Sequence, residues 1–326
     1  MKRVTRMKPL AFRAAAPSAA PQSPFGPLAE FTGNWRGKGF NLISLPDFQD
    51  KKPFRLKLNA TFETLNFNPV SAPVPNRGSV ENDISIMAMQ YQQAVNDIVT
   101  SEPLHAETGM WLNLPPGTND PSIPNPKKRP DWEDWNWSVA RLGIIPHGDA
   151  LLAQGPFKTN TAGPNGKGGG PFLPVLDSTP FTLDSNGTRI NTTDPGILAA
   201  FTSPTLPLPP GITVQNIANP NLVLADAIAT QNIVETVVLV VNMDPVGDIA
   251  LPGFIPSEPD INGSISNLPF VIKNANANSF TAIFWIETVK NKDGSQFLQL
   301  QYSQTLILNF KGLNWPHISV ATLIKG

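Results

Sequence analysis

The stretch Phe280–Phe310, FTAIFWIETVKNKDGSQFLQLQYSQTLILNF, decides the fold. Two strand-like runs, FTAIFWIETV and QFLQLQYSQTLILNF, flank KNKDGS. The Asp293-Gly294 pair between them is a strong hairpin signal, because both residues tolerate positive φ. Runs of the same kind recur along the chain: ISIMAMQY, HAETGMWLNL, WNWSVARL, ALLAQG, FTLDSNGTRI and IVETVVLVV. With 35 Pro and 24 Gly, the chain is punctuated too often for long helices and suits short strands joined by turns. Some eight to ten antiparallel strands result, a number that suits a closed barrel or a sandwich.

Near the start, FRLKLNATF alternates Phe54, Leu56, Leu58, Ala60 and Phe62 with polar neighbours, the period-2 pattern of a half-buried strand. After Phe62 the apolar register shifts to Leu65 and Phe67, as a β-bulge would cause. Three regions do not read as strands. Residues 156–180 contain PNGKGGGPFLP, 194–232 contain SPTLPLPPG and a short helix in NPNLVLADAIA capped by Asn219, and 243–267 are loop-like. The reading is an all-β chain: a single antiparallel up-and-down β-barrel domain over 29–326, lipocalin-like in build, with these segments as excursions over one barrel end. Residues 1–28 form a flexible leader without an unbroken apolar core.

A formal charge of −1 argues against a nucleic-acid partner. Without cysteine, a thiolate nucleophile and thiolate metal ligands are excluded. No run approaches the roughly 20 apolar residues that span a bilayer, so a soluble, cytoplasmic protein is expected. GPNGKGGG lacks the spacing of a phosphate-binding loop and reads as a flexible loop.

Chemistry then falls to three histidines. His105 shares a strand face with Glu107, Gly109 and Trp111, but two ligands do not make a metal site, and a structural His is the simpler reading. His147, between Pro146 and Gly148, reads as part of a tight connection. His317 follows the rigid Trp315-Pro316 step and precedes an apolar strand, with Trp315 as a large apolar wall. A lone imidazole cannot hold free zinc, yet it suffices for haem, whose porphyrin brings four donors of its own.

Three segments carry a family resemblance. FTGNWRGKGFN resembles the G-x-W-x-G-x-G opening of the nitrobindin-like haem-binding β-barrels. PLHAETGMWL resembles their P-[ML]-H-x-E-x-G-[FY] strand, and WPHISVATLIK resembles their terminal segment, in which a His binds haem iron. The resemblance covers the strands before residue 155 and after 279, and it implies haem b held by His317, with His105 in a structural strand motif. It further implies action on small diatomic or peroxo species, such as nitric oxide binding or peroxynitrite isomerisation. Two other readings remain open from the residues: a lipocalin-like carrier of an apolar small molecule, and a haem peroxidase-like enzyme.

Overall fold

The computed structural model describes residues 24–47, 50–77, 83–114, 136–145, 149–160, 173–204, 207–242 and 279–326. In chain order its strands are β1 (Gly33–Asp47), β2 (Lys52–Pro69), β3 (Val74–Asn76), β4 (Ile84–Asp97), β5 (Pro103–Asn113), β6 (Asn136–Ile145), β7 (Asp149–Asn160), β8 (Phe181–Leu183), β9 (Arg189–Asn191), β10 (Ile233–Asn242), β11 (Phe280–Lys290), β12 (Gln296–Phe310) and β13 (Leu313–Lys325). Ten of them, β1, β2, β4 to β7 and β10 to β13, each pair antiparallel with the next. The pairing of β1 with β13 closes these ten strands into an up-and-down β-barrel. Strand β3 adds to β4, and the β8–β9 hairpin joins β13 where Phe181 faces Asn314.

The expected hairpin is β11–β12, paired from Lys290 and Gln296 to Phe280 and Leu306. Its turn is wider than a two-residue connection: the Asn291 N–H donates to the Ser295 carbonyl, and Gly294 alone of the Asp293-Gly294 pair takes a positive φ, +88°. Asp293 instead accepts from the N–H and hydroxyl of Ser295 at 2.9 and 2.6 Å. The two-residue turn with both central φ positive lies one hairpin later, at Lys311-Gly312, φ 52° and 74°.

The shift of apolar register in β2 has a different cause from a bulge. Strands β1 and β2 stay in regular register from Gly33 and Phe67 to Leu45 and Arg55, so alternation continues unbroken through Phe62 and Leu65. Leu65 and Phe67 point into the barrel core, whereas Phe54, Leu56 and Leu58 pack on the outside, under a second apolar layer. Both faces of one strand are buried, at opposite ends. The irregularities fall instead at prolines. Pro46 sits in the shift between Leu45 and Asp47, Pro103 faces the shift after Val95, and Pro156 faces the one after Trp137. A residue without an N–H is tolerated where the ladder is already interrupted. Strand β7 therefore runs through Pro156 to Asn160, inside the stretch read from sequence as an excursion.

The outer layer comes from residues 173–231. Helices α1 (Pro195–Thr202), α2 (Val214–Ala218) and α3 (Leu222–Ile228) place Phe201, Ile217 and Leu224 against Phe40, Leu42, Ile283, Trp285, Ile318 and Val320. This segment covers the side wall formed by β10 to β13 and β1, not an end of the barrel. Asp194 starts α1 by accepting from the N–H groups of Gly196 and Ile197. Asn219 ends α2, and Asn221 is the residue that precedes α3, which corrects the cap read from sequence. Among the described residues, no helix is long and apolar enough to cross a membrane.

Candidate functional site

Strand alternation and register divide the barrel interior into three tiers. The lowest is aromatic. The 3₁₀ turn Gly26–Phe31 inserts Phe31, which stacks on Phe67 at 4.6 Å and meets Trp111 and Phe284 edge-on at 5.3 and 6.1 Å. Trp35 donates its indole N–H to the Phe31 carbonyl at 2.7 Å, so the turn is tied to β1 and closes this end.

The middle tier is a polar belt. Arg141 on β6, 1 % exposed, donates to Glu107 Oε1 at 2.8 Å, to the Tyr91 hydroxyl at 3.2 Å and to Gln304 Oε1 at 3.2 Å. The Tyr91 hydroxyl also donates to Glu107 Oε1. Beside this group, Glu63 Oε2 accepts from the Tyr302 hydroxyl at 2.5 Å and from Gln93 at 3.3 Å, while its Oε1 accepts from Thr61 at 2.8 Å. Gln93 also donates to the Tyr302 oxygen at 3.0 Å, bridging β4 to β12 across the interior. Glycines make room for the carboxylates: a Cβ on Gly39 would stand 2.7 Å from Glu63 Oε1, and one on Gly143 would stand 2.4 Å from the Tyr91 oxygen.

The two carboxyls carry different charge. Burial pushes Glu107 up, but the Arg141 guanidinium, with help from His105 and Tyr91, pulls it down to about 2, so it is ionised. For Glu63, burial outweighs the hydrogen bonds from Tyr302, Thr61 and Gln93 and the attraction of His105, and raises it.

The upper tier bears the histidines. His317 on β13 shares the strand face of Ser319, Ala321 and Leu323, of which the last two belong to the interior core, and it lies opposite Leu306. Its Nε2 bonds the Ser44 carbonyl on β1. Burial lowers its pKa to about 4, against the opposing pull of that carbonyl, so the ring is neutral at pH 7. With Nε2 carrying the proton, the lone pair lies on Nδ1. His105 projects inward from β5, its Nε2 3.5 Å from Glu107 Oε2. Strands β5 and β13 are separated by β4, β2 and β1 in a ring of ten, so the two imidazoles stand on opposite walls. The belt forms the floor between them, and Asn41, Thr61 and Leu306 share the inward faces around them.

Trp315, two residues before His317, stacks on Phe310 at 4.6 Å, lies 4.9 Å from Phe54 and donates its indole N–H to the Phe310 carbonyl at 3.0 Å. It fixes the β12–β13 hairpin beside His317. His147 lies outside the described residues, as do the segment GPNGKGGG and the stretch 243–267. Among the described residues, no three His, Asp or Glu side chains gather as a set of metal ligands. A group that supplies its own equatorial donors would need one imidazole, and His317 is a neutral one.

The sequence reading missed Glu63, Tyr91, Gln93, Arg141 and Tyr302. Their signal was parity: Glu63 occupies the same odd-numbered set as Leu65 and Phe67, so once those two face the core, it does too.

No protein-family model matches the chain, and no curated protein sequence matches it. Among solved structures, the chain is similar to the crystal structure of Rv2717c from M. tuberculosis, with 13 % identity and a TM-score of 0.37, over 92 % of this chain and 94 % of that one.

Proposed function

We propose that the chain is a haem-binding β-barrel of nitrobindin-like type, in which His317 binds the iron of haem b and Trp315 supplies the adjoining apolar wall. The observation that carries this reading is His317 itself: a neutral imidazole facing into the barrel, with one ring nitrogen held by a main-chain carbonyl of the neighbouring strand. That bond keeps the ring ordered on the barrel wall, and an acceptor in the wall is what the outer nitrogen of a metal-binding His needs. His105, on the opposite wall and backed by Glu107, would be available to a small ligand bound in the interior. Bound haem would supply the redox-active iron and its open coordination position. The chain's own groups would hold and orient it, and the closed aromatic end would exclude water from below. The polar floor, with the Arg141 guanidinium in it, suits a small polar ligand such as peroxynitrite.

An apolar carrier is the weaker reading. Glu63, Gln93, Glu107, Arg141 and Gln304 cross the interior at mid-height, so the lumen is not an apolar well.

The test is a haemin titration of the full chain and of His317→Ala, followed by visible absorption. Uptake near one equivalent with a shifted Soret band is expected for the parent, and a loss of affinity of at least about tenfold is expected for the variant. Equal spectra for the two would remove His317 from the site. No uptake by either would leave a barrel that binds another ligand.

A further inference from the structure

We infer that Asn41 is a positioning residue for His317: its side-chain oxygen accepts the ring N–H, then on Nδ1, when the imidazole turns Nε2 from the Ser44 carbonyl to a ligand. This inference rests on the reading of His317 as the haem ligand.

A neutral imidazole has one N–H and one lone pair. In this structure Nε2 is spent on the Ser44 carbonyl, which leaves Nδ1, the nitrogen next to the crowded Cβ side, as the electron-pair donor. A flat macrocycle is better met by Nε2, at the tip of the ring. Presenting Nε2 moves the proton to Nδ1, and that N–H then needs an acceptor in the barrel wall.

Asn41 meets the requirement. It lies on β1 opposite Ser319, one strand across from His317 and diagonal to it, on the same inward face. It is 4 % exposed, and its Oδ1 has no hydrogen-bond partner. A buried amide oxygen without a partner is unfavourable, so this one stands ready for a donor. Its cross-strand neighbour on β2, Asn59, is held elsewhere, its side-chain amide donating to Asp97 at 2.8 Å. On β1 the Ser44 carbonyl is engaged by His317, whereas Asn41 Oδ1, on the inward face of the strand, is not engaged.

The experiment compares the parent, Asn41→Leu and Asn41→Asp, each as the full chain loaded with haemin. Three readouts are used: haem transfer to excess apomyoglobin, the iron–imidazole stretch of the ferrous form by resonance Raman, and the unfolding midpoint of the haem-free protein. Leu removes the acceptor and keeps the volume. Haem transfer should become 10–100-fold faster and the stretch should fall in frequency, while the haem-free midpoint stays equal or rises. Asp keeps an acceptor oxygen and should hold the stretch at or above that of the parent. A merely structural role would not move the stretch. If the parent takes up haemin and both variants match it in transfer rate and stretch, the inference is overturned and the site reading stands. If the parent takes up no haemin, both fall.

Discussion

Arg141→Met is expected to cost about 3–5 kcal/mol of unfolding free energy, the largest loss from any single substitution in the belt. The guanidinium is buried and satisfies Glu107, Tyr91 and Gln304 at once. Removing it leaves the Glu107 carboxylate buried with its main cation gone, and its ordinary range is restored or exceeded because burial then dominates. Met fills much of the volume, so the loss reports charge and hydrogen bonding rather than a cavity. Adding Glu107→Leu should recover part of the loss, since an apolar pair of similar volume often matches a buried ion pair. Guanidinium unfolding of the parent, the single and the double variant measures this. A single-variant loss below about 1 kcal/mol would mean that the belt is solvated and is no floor.

Glu287→Gln is expected to abolish a loss of stability at alkaline pH. Glu287 on β11 lies on the outer wall, wholly buried, with Gln299 donating to its Oε2 at 2.6 Å and its Oε1 unpartnered. Gln299 and Gln231 exchange two hydrogen bonds of 2.9 Å, which links this site to the segment after α3. Burial, against the pull of Gln299, raises the carboxyl to about 8. A carboxyl raised in the folded state binds more protons there than in the unfolded chain. Its contribution is therefore complete below the unfolded value near 4.5 and is lost as pH rises through about 8. Between pH 6 and pH 9 the parent should lose about 2–3 kcal/mol from this group alone, and the Gln variant should not. Unfolding free energies of the two proteins at both pH values test it. Parallel profiles would show that Glu287 is ionised in the fold and that the outer layer admits water.

The barrel was legible because its strands are long and their faces alternate, and the hairpin around Asp293 fixed the antiparallel sense. What misled was the assumption that one face of a strand stays buried along its length. In β2, Leu56 is covered from outside and Phe67 from inside, so an unbroken strand reads as a bulge. Prolines misled in the same way: Pro156 looks like an exit from the sheet, yet it sits at a register shift within β7. Helix α1 was missed although Asp194-Pro195 is a regular start signal, because the surrounding Pro-rich composition outweighed it. Of the candidate site, His317 and Trp315 were legible as a local pattern. The belt was not, since Glu63, Tyr91, Arg141 and Tyr302 come from four strands and meet only when the ring closes.

The central claim, that His317 presents its imidazole to haem iron inside the barrel, is tested most directly by His317→Gly supplemented with free imidazole. The ferrous parent loaded with haemin should show an iron–imidazole stretch in resonance Raman. The Gly variant should lack it, and added imidazole, fitting the space of the deleted ring, should restore it together with the Soret position. A variant that keeps the stretch without imidazole would place the iron on another residue and contradict the account.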